Sequence, residues 1–208
     1  STEQLKEATI DIREKSSLLG VISKKTNKKL MHSFNQIKTI KKRLIWPNEV
    51  VITVEEKAPW ISIIMDGKSY IVASDGTILN QQDHWQLPHS ESLMIFRGIS
   101  RNSIMENRLE QKVNKKLHEV KKQIEQHLEN SSIQVEWLSN NSNQEDPSEQ
   151  EINLLINDVI PAKIGKMVNL KQKLITLNQF LNLYQDNIEN VNYIDLRGTK
   201  TIIVHHEK

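Results

Sequence analysis

The chain has 208 residues, enough for two small domains that each bury a core. Its 37% apolar and 26% charged residues give an ordinary globular balance, and no run approaches the roughly 18 consecutive apolar residues of a spanning helix. Cysteine is absent, which excludes disulfides, cysteine nucleophiles and thiolate metal sites, while the net charge of +2 hides an uneven spread of sign.

The chain begins at Ser1 without a signal-peptide pattern and reads as a segment of a longer protein. A Ser-Thr-Glu start and Leu5, Ala8 and Ile12 at helical spacing predict a short helix over residues 1–12. A second helix is expected over residues 23–34, capped by Ser23, with Leu30, Met31 and Phe34 on its buried side. This stretch opens a basic run without an acidic residue: Lys24, Lys25, Lys28, Lys29, Lys38, Lys41, Lys42 and Arg43. Lys24, Lys25, Lys28, Lys29, Lys41, Lys42 and Arg43 are candidates for an anionic-lipid surface, against the alternative of a solvated Lys-rich face. Aromatics do not interleave with these cations, so the stacking platform of a nucleic-acid binder is missing and no nucleic-acid partner is expected.

The period then changes. Residues 37–46 are extended, Pro47-Asn48 marks a turn, and Val50, Ile52 and Val54 alternate with Val51, Thr53 and Glu55. Trp46 is expected to anchor this hairpin by packing. Helices followed by a hairpin make a small α+β unit. Pro59 is expected to break the strand pattern at a domain junction, with Trp60 wedging the two domains together.

Short apolar runs at 61–65, 69–73, 77–79 and 93–96 read as strands, the first three separated by Asp66-Gly67 and Asp75-Gly76 turns. A long helix is expected from about 103 to 129, with Leu109, Val113, Leu117, Val120, Ile124 and Leu128 as an apolar core stripe. Residues 133–138 read as a strand, 139–150 as a polar loop, and 152–156 and 160–164 as further strands. Leu170, Leu174, Leu177, Leu181 and Tyr184 predict a helix over about 170–185. Residues 192–196 and 201–205 close the chain as a hairpin around Arg197-Gly198, where Asp195 and Arg197 share a face and are expected to pair with neighbouring strands.

Nothing here nominates an enzyme. The histidines lack an HExxH-type spacing, with His118 and His127 nine apart, and no Gly-rich phosphate loop or nucleophile motif occurs. No catalytic residue, metal ligand or cofactor is predicted.

Several motifs carry a resemblance. Residues 46–59, WPNEVVITVEEKAP, resemble the end of the POTRA domain of FtsQ/DivIB-type bacterial cell-division proteins. Residues 70–79, YIVASDGTIL, resemble the strand-turn-strand that opens the family's β domain, and 192–204, NYIDLRGTKTIIV, its closing hairpin. Ile164-Gly165 and the helical KQKLITLNQF at 171–180 fit between them. The resemblance implies an α+β fold: a truncated POTRA domain over 1–59, its first strand missing, then a mixed β-sheet domain flanked by helices over 60–208. It also implies a single-pass inner (plasma) membrane protein with this segment on the periplasmic, extracytoplasmic side. The implied function is a non-catalytic divisome scaffold that binds small bitopic coiled-coil division proteins and helps to recruit septal peptidoglycan synthases.

An open sheet can bind an extended partner by strand addition, and the C-terminal strand is the expected edge, with Ile202 and Val204 on one face and Ile203 and His205 on the other. The candidate contact comprises Glu151, Asn153, Gly198, Thr199, Lys200, Thr201, Ile202, Ile203, Val204, His205 and His206. Gly198 and His206 stand where relatives carry partner-contacting aromatics. The alternative is a POTRA-type client-binding module of an outer-membrane assembly or secretion system, although the Ile-Asp-Leu-Arg ending favours the division family.

Overall fold

A computed structural model describes residues 24–46, 49–81, 93–128, 132–138, 151–184, 191–198 and 202–205. The chain divides into two compact units, Ser1–Ala58 and Pro59–Lys208. Among the described residues no helix is long and apolar enough to cross a membrane.

In the first unit, helix α1 (Lys24–Ser33) leads into strands β1 (Ile37–Ile45) and β2 (Glu49–Glu56). The helix ends where the Phe34 amide donates to Leu30 O at 2.9 Å, and the Ile37 amide then donates to Phe34 O at 3.1 Å. The strands pair antiparallel from Ile45 with Glu49 back to Ile37 with Glu56, with a bulge between Ile37 and Thr39. Their β-branched residues suit a pleated sheet. Ile40, Ile52 and Val54 share one half-buried face, and Ile37 is buried. Two expectations fail here. Met31 is exposed, because it falls off the side of α1 that carries Leu30, and Trp46 packs against little, being 85% exposed at the hairpin end. The helix expected over 1–12 and the Ser23 cap lie outside the described residues.

The second unit is built on a nine-stranded sheet. Its strands are β3 (Pro59–Met65), β4 (Lys68–Ala73), β5 (Ile78–Gln81), β6 (Ile95–Arg97), β9 (Ile133–Leu138), β10 (Glu151–Ile156), β11 (Ile160–Lys166), β12 (Val191–Asp195) and β13 (Ile202–His205). A separate small hairpin, β7 (Ile104–Met105) with β8 (Arg108–Leu109), precedes helix α2 (Gln111–His127), and helix α3 (Leu170–Leu183) lies between β11 and β12. The sheet order is β13-β12-β11-β10-β9-β6-β3-β4-β5. The pairs β3–β6, β6–β9 and β11–β12 are parallel, and the other pairs are antiparallel. Helices with a mixed sheet make this the expected α+β class.

Alternation organises the core. Ile133, Val135 and Trp137 of β9 and Ile152, Leu154 and Ile156 of β10 are buried, while the residues between them are more exposed. Leu117, Val120 and Ile124 of α2 and Leu170, Leu174, Leu177 and Phe180 of α3 join the same core. Both helices therefore cover one sheet face, and the other is mixed, with Ile71 buried and Ile64, Ile95 and Leu155 half-buried beside Ser62, Gln134 and Asn153. Phe180 escaped the sequence reading, whereas Tyr184, expected on the apolar stripe, stacks on it from a more exposed position at 4.5 Å between ring centroids.

Two further expectations change, at Pro59 and at the start of the long helix. Pro59 starts β3 and does not interrupt it, since a strand's first residue tolerates a missing N–H. Trp60 stacks within the second unit on His118 of α2, with ring centroids 3.8 Å apart, and His118 Nε2 lies 2.6 Å from Ser74 O. The long helix begins at Gln111, not near 103. Glu106 and Asn107 have φ of 50° and 60°, which turns the chain into the β7–β8 hairpin and places Leu109 in the core from a strand. Tertiary contacts hold it there. The Leu109 amide donates to Gly76 O at 2.8 Å, and the Arg108 guanidinium donates to Asp75 O at 2.9 and 3.1 Å. The loop expected over 139–150 lies outside the described residues.

Candidate functional site

The strand order makes β13 the outermost strand at the C-terminal side of the sheet. It pairs antiparallel with β12 through Val191–His205, Tyr193–Val204, Ile194–Ile203 and Asp195–Ile202. Among the described residues no strand pairs with its far side. An edge strand carries backbone N–H and C=O groups on that side that no strand within the fold satisfies.

Just past β12 the chain is pinned by a local ion pair. Arg197 Nε donates to Asp195 Oδ1 at 3.0 Å and Nη2 to Oδ2 at 2.6 Å, while the Arg197 amide also donates to Oδ1 at 3.0 Å. The two residues pair first with each other, because the chain curls after Asp195 and brings the guanidinium back, while Lys163 of β11 and Glu151 of β10 add the weaker cross-strand charge that their shared face suggested. The hydrogen bonds from the Arg197 side chain hold the Asp195 carboxyl below its ordinary range, opposed by partial burial. Asp195 in turn raises Arg197. On the same sheet face, Lys163 Nζ lies 4.1 Å from the centroid of the Tyr193 ring.

Gly165 explains where the arginine sits. The β10–β11 register shifts between Ile152 and Asn153, and Gly165 adopts φ +70° at that bulge. A Cβ there would lie 2.8 Å from Arg197 Cγ, so the absent side chain is the space that Arg197 occupies. Nearby, Lys173 of α3 donates to Ile164 O at 2.7 Å and to Lys166 O at 2.9 Å. Burial pushes the Lys173 ammonium below its usual range, and the charge of Glu151 pulls it back up.

These groups border an open cleft of about 690 Å³, lined among others by Glu151, Gly165, Lys166, Lys173, Arg197 and Gly198. Of the sequence candidates, the cleft unites Glu151 with Gly198. Asn153 belongs elsewhere: its Nδ2 donates to Glu136 Oε2 at 3.2 Å, and it lines a smaller hollow of about 240 Å³ with Arg97, Gln134 and Lys163. Ile202, Ile203, Val204 and His205 form β13, while Thr199, Lys200, Thr201 and His206 lie outside the described residues. Lys166 and Lys173 were missed. Lys173 lies inside the quoted KQKLITLNQF motif, but its helical spacing gave no sign that it would bond the end of β11.

The basic candidates divide by placement. Lys28 is exposed on α1, Lys41 and Arg43 are exposed on β1, and Lys42 is half-buried there, its ammonium pushed down by burial. The side chains of Lys24, Lys25 and Lys29 fall outside the described residues. Among the described residues no three His, Cys, Asp or Glu side chains converge to hold a metal.

The family model described as cell division protein FtsQ/DivIB, C-terminal, matches residues 63–197, from within β3 to the arginine that follows β12. The chain belongs to the FtsQ/DivIB family, and its role lies in cell division. A comparison with curated proteins returns no match.

Proposed function

We propose that this FtsQ/DivIB family member is a non-catalytic scaffold of the bacterial divisome, which captures an extended segment of another division protein by strand addition at β13. The observation that carries the reading is the position of β13: outermost in the sheet, with no strand on its far side among the described residues and a charged cleft beside its partner strand. Backbone hydrogen bonds would supply affinity, and the cleft bordered by Arg197, Lys166 and Glu151 would select charged side chains at the end of the added strand. Small bitopic coiled-coil division proteins are the partners this reading favours, with septal peptidoglycan synthases recruited and regulated through the assembly. The contact would take in Gly198–His206 and, across the cleft, Glu151; Asn153 would contribute only if the partner extends over the open sheet face.

The first unit is read as a POTRA domain, supported by its helix followed by an antiparallel strand pair. The segment would stand on the extracytoplasmic side of the plasma membrane. Family membership favours this over a client-binding module of an outer-membrane assembly system.

Proline removes a backbone donor, and successive residues of a strand point their N–H groups to opposite sides. One of Ile203→Pro and Val204→Pro therefore removes an outward donor from β13. We expect that variant to lose capture of the extracytoplasmic segment of the coiled-coil partner in pull-down or calorimetry while keeping the circular dichroism of the parent. Undiminished capture by both variants would falsify strand addition here.

A further inference from the structure

The end of the β1–β2 hairpin combines features that the division reading leaves unused. Trp46 is 85% exposed, and Leu44, Ile45 and Val51 beside it are 47%, 40% and 38% exposed. Single exposed apolar residues are ordinary, but four on adjoining rungs of one hairpin form a patch. Register places Leu44, Ile45 and Val51 on the two sides of the hairpin end that Trp46 follows. Leu44 faces Val50 across one side of the hairpin, while Arg43–Val51 and Ile45–Glu49 occupy the other. An apolar end exposed on both sides does not suit docking one face into a protein groove. It suits entry into a fluid layer.

The nearer charge behind the tip has a matching depth, and a second stands one step farther out. Lys41 and Arg43 are exposed on β1. At about 3.3 Å per residue, Arg43 stands roughly 10 Å and Lys41 roughly 17 Å behind Trp46. Interfacial elements bury their apolar part about 5–10 Å into the headgroup boundary, with tryptophan at headgroup level and basic groups facing anionic phosphates. Glu49 is the acidic residue that shares the end rungs with them. Glu55 and Glu56 lie at the far end of the hairpin, where Glu55 bonds Lys38 and Thr39.

We propose that the β1–β2 hairpin end inserts into the interfacial layer of an anionic lipid bilayer, with Trp46 in the layer, Arg43 at the phosphate level and Lys41 farther out, within the field of the charged surface. This involves the first unit alone and does not rest on strand addition at β13, so loss of partner capture by the proline variants leaves it standing.

The test is co-sedimentation of the whole chain with phosphatidylcholine vesicles and with vesicles carrying about a third phosphatidylglycerol. Binding is expected to the anionic vesicles and to be weaker on the neutral ones. Trp46→Ala should weaken it about tenfold, and Lys41→Gln with Arg43→Gln about fivefold for each charge removed. Trp46→Phe should keep most of the binding yet remove the blue shift of tryptophan emission that insertion produces. Because these side chains are exposed, circular dichroism should match the parent in every variant. Three results overturn the proposal: no vesicle binding, binding that Trp46→Ala leaves intact while the charge variants lose it, which is surface adsorption alone, or vesicle indifference together with impaired capture of a protein partner by Trp46→Ala, which makes the tip a protein-docking element.

Discussion

Among the described residues, the two units are buried to different depths. In the first, Ile37 is fully buried among the described residues, while Ile40, Ile52 and Val54 are only half-covered. In the second, a continuous core runs from Ile61 and Phe96 through Val135, Leu154 and Ile164 to Leu174 and Ile194. Buried apolar area is the main stabilising term in folding, so among the described residues the second unit holds the larger reserve. The contrast teaches where each unit can carry function. Among the described residues the β1–β2 hairpin leaves one face and the end of β1 exposed, whereas the sheet of the second unit presents chiefly its helix-free face and its edges.

Core truncation would sharpen that contrast most. Phe96→Ala in the second unit should cost about 3–5 kcal/mol in urea unfolding, because the ring is fully enclosed and leaves a cavity. Ile52→Ala in the first should cost only about 1 kcal/mol, read from hydrogen exchange of the β1–β2 amides, because its side chain is half in water already. Equal costs would break the comparison.

A smaller effect is expected at the bulge beside the candidate edge. Gly165→Ala must adopt φ near +70° and meet Arg197 Cγ at 2.8 Å. It should cost about 1–3 kcal/mol and displace Arg197 from the cleft. A thermal-melt series gives the first quantity, and partner affinity the second. If affinity holds while stability falls, Arg197 is no part of the binding surface.

The smallest effects concern pH. Asp195 is held below its ordinary carboxyl range by its hydrogen bonds from Arg197. A folded-state value depressed below the unfolded one, about 3.9 for Asp, stabilises above that value and is lost as pH falls through the folded one. Asp195→Asn should therefore lessen the drop in Tm between neutral pH and strong acid. Glu55 is depressed too, mainly by the Lys38 side chain, but that pair stands in solvent and is screened. Glu55→Gln should leave the acid profile unchanged. Identical profiles for Asp195→Asn and the parent would remove Asp195 as a pH-dependent stabiliser.

Much of this fold was legible because its signals are local. The β9 strand was read at its observed bounds, 133–138, since alternation with β-branched and aromatic residues declares a half-buried strand. The Asp66-Gly67 turn was equally plain, and its φ values of 50° and 73° match a tight hairpin. The start of α2 was not legible. Residues 103–110 have helix-compatible composition, and what draws them into a hairpin is bonding to Gly76 and Asp75, about thirty residues upstream. The site divides the same way. Gly198 and the 202–205 strand were singled out by motif, whereas Lys173 and the seat of Arg197 over Gly165 depend on elements that meet only in the folded chain.

By itself the sequence determined most of the described strands and helices, the apolar face of those with clean periodicity, such as β9 and β10, and, through its ordered motifs, the family to which the chain belongs. Tertiary structure alone decided which strand lies at the edge, that Asp195 and Arg197 pair with each other, and that Trp46 projects from its hairpin without packing against it. The reason is physical. Side-chain periodicity encodes the direction a residue faces, but not the partner it meets. Partners such as the parallel neighbours of β6 and β11 are chosen by long-range pairing and by the volume that a common core must fill.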